Sequence, residues 1–246
     1  MRSASSDSKV AGDGDRTAKA RIRDAAIECF AEHGIAGTTA RKVATAADVS
    51  PGLVMHHFGS MEGLRMACNE HVARSIREQK SAALTAGPGF DILAALRNAD
   101  TGHLARYLAK ILVDDSPIVE QLVEDLVADA EGYIQQGVEA GTIVPSDDPR
   151  GRAVVLVLWT LGGLVLHEHM GHLLGVDLTD PLVAKTAAIA AYAGPAYEVL
   201  GGGFFTDEFA QRIRDDLDTL KRVRPSDSAP SPGIPDDGRP ATKGRP

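Results

Sequence analysis

The chain has 246 residues, with 26 Lys plus Arg against 34 Asp plus Glu and a net charge of −8. That length buries a substantial core, in one large domain or two small ones, and the acidic balance excludes a protein that holds polyanions by bulk charge. Cys29 and Cys68 do not form a close-spaced pair, which excludes a disulfide scaffold or cysteine zinc site and points to a reducing cytoplasm.

Residues 1–15 are small, polar and glycine-containing, with no apolar core of a signal peptide, and are expected to be a disordered tail. An amphipathic helix follows from Thr17 to His33 through Ile22, Ala25, Ala26, Cys29 and Phe30, and Gly34 ends it. Thr38 and Thr39 open the next helix, which carries Val43, Ala44 and Ala47 on one face. Asp48 and Val49 make a short turn. Ser50 then caps a third helix, Pro51 to His57, with proline at its first position and Val54 and Phe58 turned inward. Two helices crossing over so short a turn make a helix-turn-helix, whose second helix can enter the major groove of DNA. Local charge agrees: from Arg16 to Ser60 there are six basic residues against four acidic ones, inside an otherwise acidic protein.

Ser60 caps a longer helix with Glu62 in its first turn, continuing through Leu64, Ala67, His71 and Ile76 to about Ala83. Gly87-Pro88-Gly89 marks a domain boundary. Helical patterns then cover about Phe90–Ala99, Gly102–Val113, Pro117–Ala140, Pro149–Leu174, Pro181–Leu200 and Thr206–Arg222, each fenced by proline, glycine or a capping residue. The apolar stretch Ala153–Leu166 is shorter than the roughly 20 residues of a membrane span and reads as a buried helix. Residues 224–246 hold six prolines and are expected to be a disordered tail. The fold class expected is all-α: a DNA-binding domain with its connecting helix over 16–83 and a helical ligand-binding and dimerisation domain over 84–223.

The segments AIECFAEHG, GTTARKVATAADVS and PGLVMHHFGSMEGL resemble the DNA-binding domain of the TetR-type transcriptional regulators, over about a quarter of the chain. The resemblance implies that Thr39 caps the second helix and touches phosphate, and that Arg41 reaches the groove. It implies that Ser50, Pro51, Gly52, Leu53, Met55 and His56 form the DNA-facing start and exposed face of the recognition helix. His57 would hydrogen-bond phosphate. Three positions depart from the family pattern: Asp48 stands where the turn usually has glycine, Met55 where a tyrosine is common, and Met61 where a phosphate-binding lysine usually begins the next helix. The recognition helix is also poor in the Arg, Asn and Gln side chains that read base edges bidentately.

The run His167-Glu168-His169-Met170-Gly171-His172 is not the zinc-protease pattern, because Gly171 stands where the second histidine belongs. Glu168, His169 and His172 nevertheless share one helical face and are candidate metal ligands, against a plainer reading as the polar end of an apolar helix. Trp159 and Gly162-Gly163 suit a helix shared by a dimer interface and a ligand cavity. Tyr107, Tyr133, Tyr192 and His167 are candidate polar groups in such a cavity. No cofactor is expected. No nucleophile–base pair or phosphate-cradling loop appears, so an enzyme is not expected either. The reading is a homodimeric repressor of a double-stranded DNA operator, released by a small ligand and not attached to a membrane. The alternatives are an activator built from the same parts, or a helical ligand- or metal-binding protein with weak DNA binding.

Overall fold

The computed structural model describes residues 5–86, 102–180, 182–183, 186–202 and 207–222, and among them the regular structure is entirely helical. Helix α1 runs Ser5–Gly37, so it begins well before Thr17, over a stretch expected to be a tail; no proline stands there to stop it. Gly34 adopts φ 71° and ψ −176°, which ends the regular helix at the expected place before a last turn to Gly37. The Thr38 hydroxyl donates to the carbonyls of Cys29 (3.0 Å) and Gly34 (2.8 Å), covering acceptors that a helix end leaves open.

Helix α2 (Ala40–Ala46) is capped by Thr39, whose hydroxyl accepts from the Lys42 amide at 3.3 Å. Helix α3 (Pro51–Phe58) is capped by Ser50, which accepts from the Leu53 amide at 3.2 Å, with Pro51 where a missing N–H costs nothing. Between them the chain reverses at Asp48, which sits at φ 52°, while the Val49 amide bonds back to the Ala44 carbonyl at 2.9 Å. Aspartate tolerates this left-handed conformation better than most residues, so the turn keeps its shape without glycine. Helix α4 (Met61–Thr85) starts under the Ser60 cap at 2.9 Å from the Gly63 amide. A side chain at Gly63 would run into the Phe58 carbonyl, so the tight α3–α4 junction needs glycine there. Ile22, Ala26 and Phe30 of α1, Val43 and Ala44 of α2, Val54 of α3 and Leu64, Cys68 and Val72 of α4 are all buried in one core.

The body adds α5 (Gly102–Ile111), α6 (Pro117–Glu139), α7 (Pro149–Val165) and α8 (His167–Leu174). Helix α4 lies along α6, α1 against α5, and α6 and α5 both pack on α7. The single helix expected over Pro149–Leu174 is two: α7 and α8 meet at Leu166 with a 77° bend. Met170 and Leu178 fold back over Gly163, with Met170 Sδ and Leu178 Cδ1 in van der Waals range, 3.5 and 3.6 Å from where its Cβ would stand. Past the bend, His167 Nδ1 meets Asp177 Oδ1 at 3.2 Å. The long helix expected over Pro181–Leu200 is likewise broken. A 3₁₀ turn at Ala187–Ile189 leads into α9 (Ala190–Tyr197), which contains Pro195, and a π turn follows at Glu198–Gly202. Pro195 removes a backbone donor inside α9 and crowds its preceding turn.

The chain divides into two compact units at Pro195, the second holding the π turn and α10 (Asp207–Arg222). The expected helix at Phe90–Ala99 and the tail over 224–246 lie outside the described residues. Among the described residues no single helix is long and apolar enough to cross a membrane.

Because Asp48 is held at φ 52°, Asp48→Val should destabilise the protein by about 1–2 kcal/mol, the cost of forcing a left-handed conformation, whereas Asp48→Gly should not. Urea denaturation of the two variants side by side checks this.

Candidate nucleic-acid interface

The core fixes one side of α3 and leaves the other open. Val54 is buried and Leu53 and Phe58 are half-buried against the three-helix core, while Pro51, Gly52, Met55 and His56 are exposed. Ser50 spends its hydroxyl on the α3 cap and Thr39 on the α2 cap, so each can offer a phosphate only the remaining capacity of an exposed hydroxyl. Arg41 is exposed on α2. His57 is half-buried, its ring edge-on between His56 (centroids 5.6 Å apart) and Phe58 (6.3 Å). Thr39, Arg41, Ser50, Pro51, Gly52, Met55 and His56 are therefore all accessible, while Leu53 and His57 are turned partly inward.

Two features of this region escaped sequence reasoning. Lys19 of α1 places its ammonium 5.6 Å from the centre of the Phe58 ring at the end of α3. The signal available was the lack of any lysine or arginine between Lys42 and Arg65. Arg65, the next cation, is directed into the body, donating through Nη2 to Asp114 Oδ2 (3.2 Å) and Ser116 Oγ (3.1 Å).

Arg65 belongs to a polar joint between α4 and the α5–α6 corner. Asn69 is buried; its Nδ2 donates to the Ile118 carbonyl (3.3 Å), and its Oδ1 accepts from the Tyr107 hydroxyl (2.5 Å). Farther along, Arg77 pairs with Asp129 at 2.8 Å. Tyr107, expected as a cavity residue, is thus a core side chain. It is 1% exposed, edge-on to Phe30, with its hydroxyl committed to Asn69, and burial pushes its phenol pKa up. The Cys68 thiol donates to the Arg23 carbonyl at 3.7 Å, and burial lifts its pKa to about 12.

The remaining ligand candidates are not brought together. Tyr133 is half-buried on α6, with its phenol pKa raised by burial. Tyr192 is half-buried on α9 and Trp159 is exposed on α7. His167 lies beyond the bend with Asp177 and Thr179. Burial works against the Asp177 carboxylate, but bonds from the Thr179 hydroxyl and amide and from His167 hold its pKa below the ordinary value. An open cleft of about 510 Å³ at the α5–α6 corner and another of about 590 Å³ between α1 and the Asp48 turn are lined by none of Tyr107, Tyr133, Trp159 or His167. Among the described residues no group of three or more His, Cys, Asp or Glu side chains is placed to hold a metal ion, and Glu168, His169 and His172 are exposed on α8.

Residues 22–68 match the sequence family described as bacterial regulatory proteins, tetR family, and residues 100–206 match the tetracyclin repressor-like C-terminal domain. The HTH-type transcriptional regulatory protein RaaS of Mycobacterium tuberculosis is 40% identical over 198 residues, spanning 78% of this chain and 89% of that protein. The HTH-type transcriptional repressor AcnR of Corynebacterium glutamicum is 41% identical over 68 residues, 27% of this chain and 36% of its own. The solved structure of the transcriptional regulator FadR from Bacillus subtilis, in complex with stearoyl-CoA, has the same fold. It superposes with a TM-score of 0.51 at 16% identity over 76% of this chain and 99% of its own.

Tyr107→Phe should cost about 1–3 kcal/mol of stability, since it leaves the buried Asn69 oxygen without its donor. Tyr133→Phe, at a half-buried site, should cost much less. Thermal unfolding of both variants distinguishes a core partner from a cavity residue.

Proposed function

Because this chain belongs to the TetR family of bacterial transcriptional regulators, we propose that it works as a homodimeric repressor whose grip on a cytoplasmic operator is loosened by a small ligand. The observation that carries this is α3, capped at Ser50, locked at Val54 and exposed at Pro51, Gly52, Met55 and His56. A rigid short helix with a free outer face suits insertion into the major groove. Met55 supplies an apolar contact for thymine methyls, and His56 a ring nitrogen for a base edge. Arg41 and Thr39 reach the flanking backbone. The repressor name of AcnR supports the sign of regulation.

The second copy is supported by α7. Val155, Leu158, Trp159, Val165 and Leu166 are exposed at helical spacing along one side, 64, 54, 37, 40 and 53% accessible. Gly162 lies among them with no heavy atom within 4 Å of its would-be Cβ. A soluble chain that leaves such an apolar stripe uncovered presents a surface for association, and the open glycine lets a partner helix approach closely. Two copies joined there set two α3 helices on one duplex, with half-site centres about 34–36 Å apart. A ligand acts by binding the two arrangements of the dimer with different affinity. The ligand proposed is small and largely apolar; the FadR structure holds stearoyl-CoA in a similar fold. No enzymatic role is proposed.

Selection of genomic fragments on the full chain, followed by anisotropy titration, tests the reading. A selected duplex should bind more tightly than random sequence of the same length, and no preference would refute a specific regulator. Met55→Ala with His56→Ala should cost the selected duplex about 1–3 kcal/mol, as lost base contacts do, and leave non-specific binding unchanged. Leu158→Arg should raise the dimer dissociation constant at least about tenfold, or 1.4 kcal/mol, by sedimentation with helicity retained.

A further inference from the structure

A DNA-binding surface needs cations, because phosphate neutralisation supplies much of the affinity and fixes the protein's register on the duplex. From residue 43 to residue 64 this chain has none. That stretch includes all of α3, the α3–α4 turn and the start of α4. Of the cations that flank it, Arg41 is exposed on α2 and serves the start of the motif, while Lys42 and Arg65 do not fill the gap. Lys42 donates its ammonium to the Gly37 carbonyl at 2.8 Å, ahead of the start of α2. Arg65 is only 14% exposed and is turned into the body toward Asp114 and Ser116.

A cation of α1 stands beside this stretch. Lys19 is exposed, and its Nζ stands 5.6 Å from the centre of the Phe58 ring, the last residue of α3. The rings of His56, His57 and Phe58 follow one another edge-on, at 5.6 and 6.3 Å between centres. This row leads from the exposed face of the recognition helix to the Lys19 ammonium. An aromatic face attracts a cation and narrows the range over which a flexible lysine wanders. Among the described residues no acceptor takes the ammonium's hydrogens, which leaves them for a phosphate oxygen, to which lysine presents a compact point charge.

We propose that Lys19 is a phosphate anchor for the recognition helix, held at the C-terminal end of α3 by the Phe58 ring. The assignment rests on the DNA-binding role of the family. It adds a residue from outside the helix-turn-helix to the interface.

Salt titration of three proteins tests it: the wild type, Lys19→Met, which keeps an apolar stem over Phe58 without the charge, and Lys19→Arg, which keeps the charge. The probes are a duplex selected by the wild type from a random pool and an unrelated duplex of equal length. For Lys19→Met, the slope of log affinity against log salt should be shallower by about 0.9 for each subunit bound, the contribution of one phosphate contact. Affinity should fall by the same factor on both duplexes, since a phosphate contact carries no sequence information. Lys19→Arg should restore slope and affinity. An unchanged slope in Lys19→Met overturns the assignment, and a lowered melting temperature with the slope intact would make Lys19 a packing residue only. If the wild type selects no duplex at all, the DNA-binding reading itself fails, and the anchor falls with it.

Discussion

The buried amide of Asn69 is the interaction on which the arrangement of the first unit depends. Its two ends bind different elements, the Tyr107 hydroxyl of α5 and the Ile118 carbonyl at the start of α6. Both partners are needed, because an amide at 7% exposure without them would carry an uncompensated desolvation cost. On its other side α4 closes the three-helix core with Leu64, Cys68 and Val72. One helix is therefore a wall of the DNA-binding core and a member of the helical body at once. The α5–α6 corner and α3 are thus joined by one packed helix, not by a flexible linker.

That joint gives the chemistry of the DNA surface its meaning. The recognition helix offers few side chains able to read base edges by paired hydrogen bonds, so shape and position matter more than any single contact. Position is what the caps at Thr39, Ser50 and Ser60, the reversal at Asp48 and the close approach at Gly63 provide. The Arg65 and Asn69 bonds then hold the whole domain against the body. Arg65 is committed to this joint through Asp114 and Ser116, away from the proposed DNA surface.

The parts of this account that are legible in the sequence are those written in neighbouring residues. A threonine or serine before a helical run announces its cap. An aspartate at a two-residue break announces a left-handed turn, and the apolar residues of the first four helices repeat at helical spacing. Contacts made across the fold leave no such mark. Tyr107 reads as a cavity residue because nothing near it signals Asn69, which lies 38 positions away. The helix through Leu166 reads as continuous because apolar periodicity runs on past the bend. The close approach of Met170 and Leu178 to Gly163 is tertiary. The interruptions at Ala187–Ile189 and Glu198–Gly202 fall inside an apolar run that reads as one helix. Lys19 counts only as one charge among several until Phe58 is found beside it.

In the proposed complex two copies of α3 engage one duplex together. Hydroxyl-radical footprinting of a selected operator tests this most directly. Two protected patches are expected on one face of the DNA, with centres about 34–36 Å or a whole number of helical turns apart. A single protected patch, or two with no relation to the helical repeat, would contradict it.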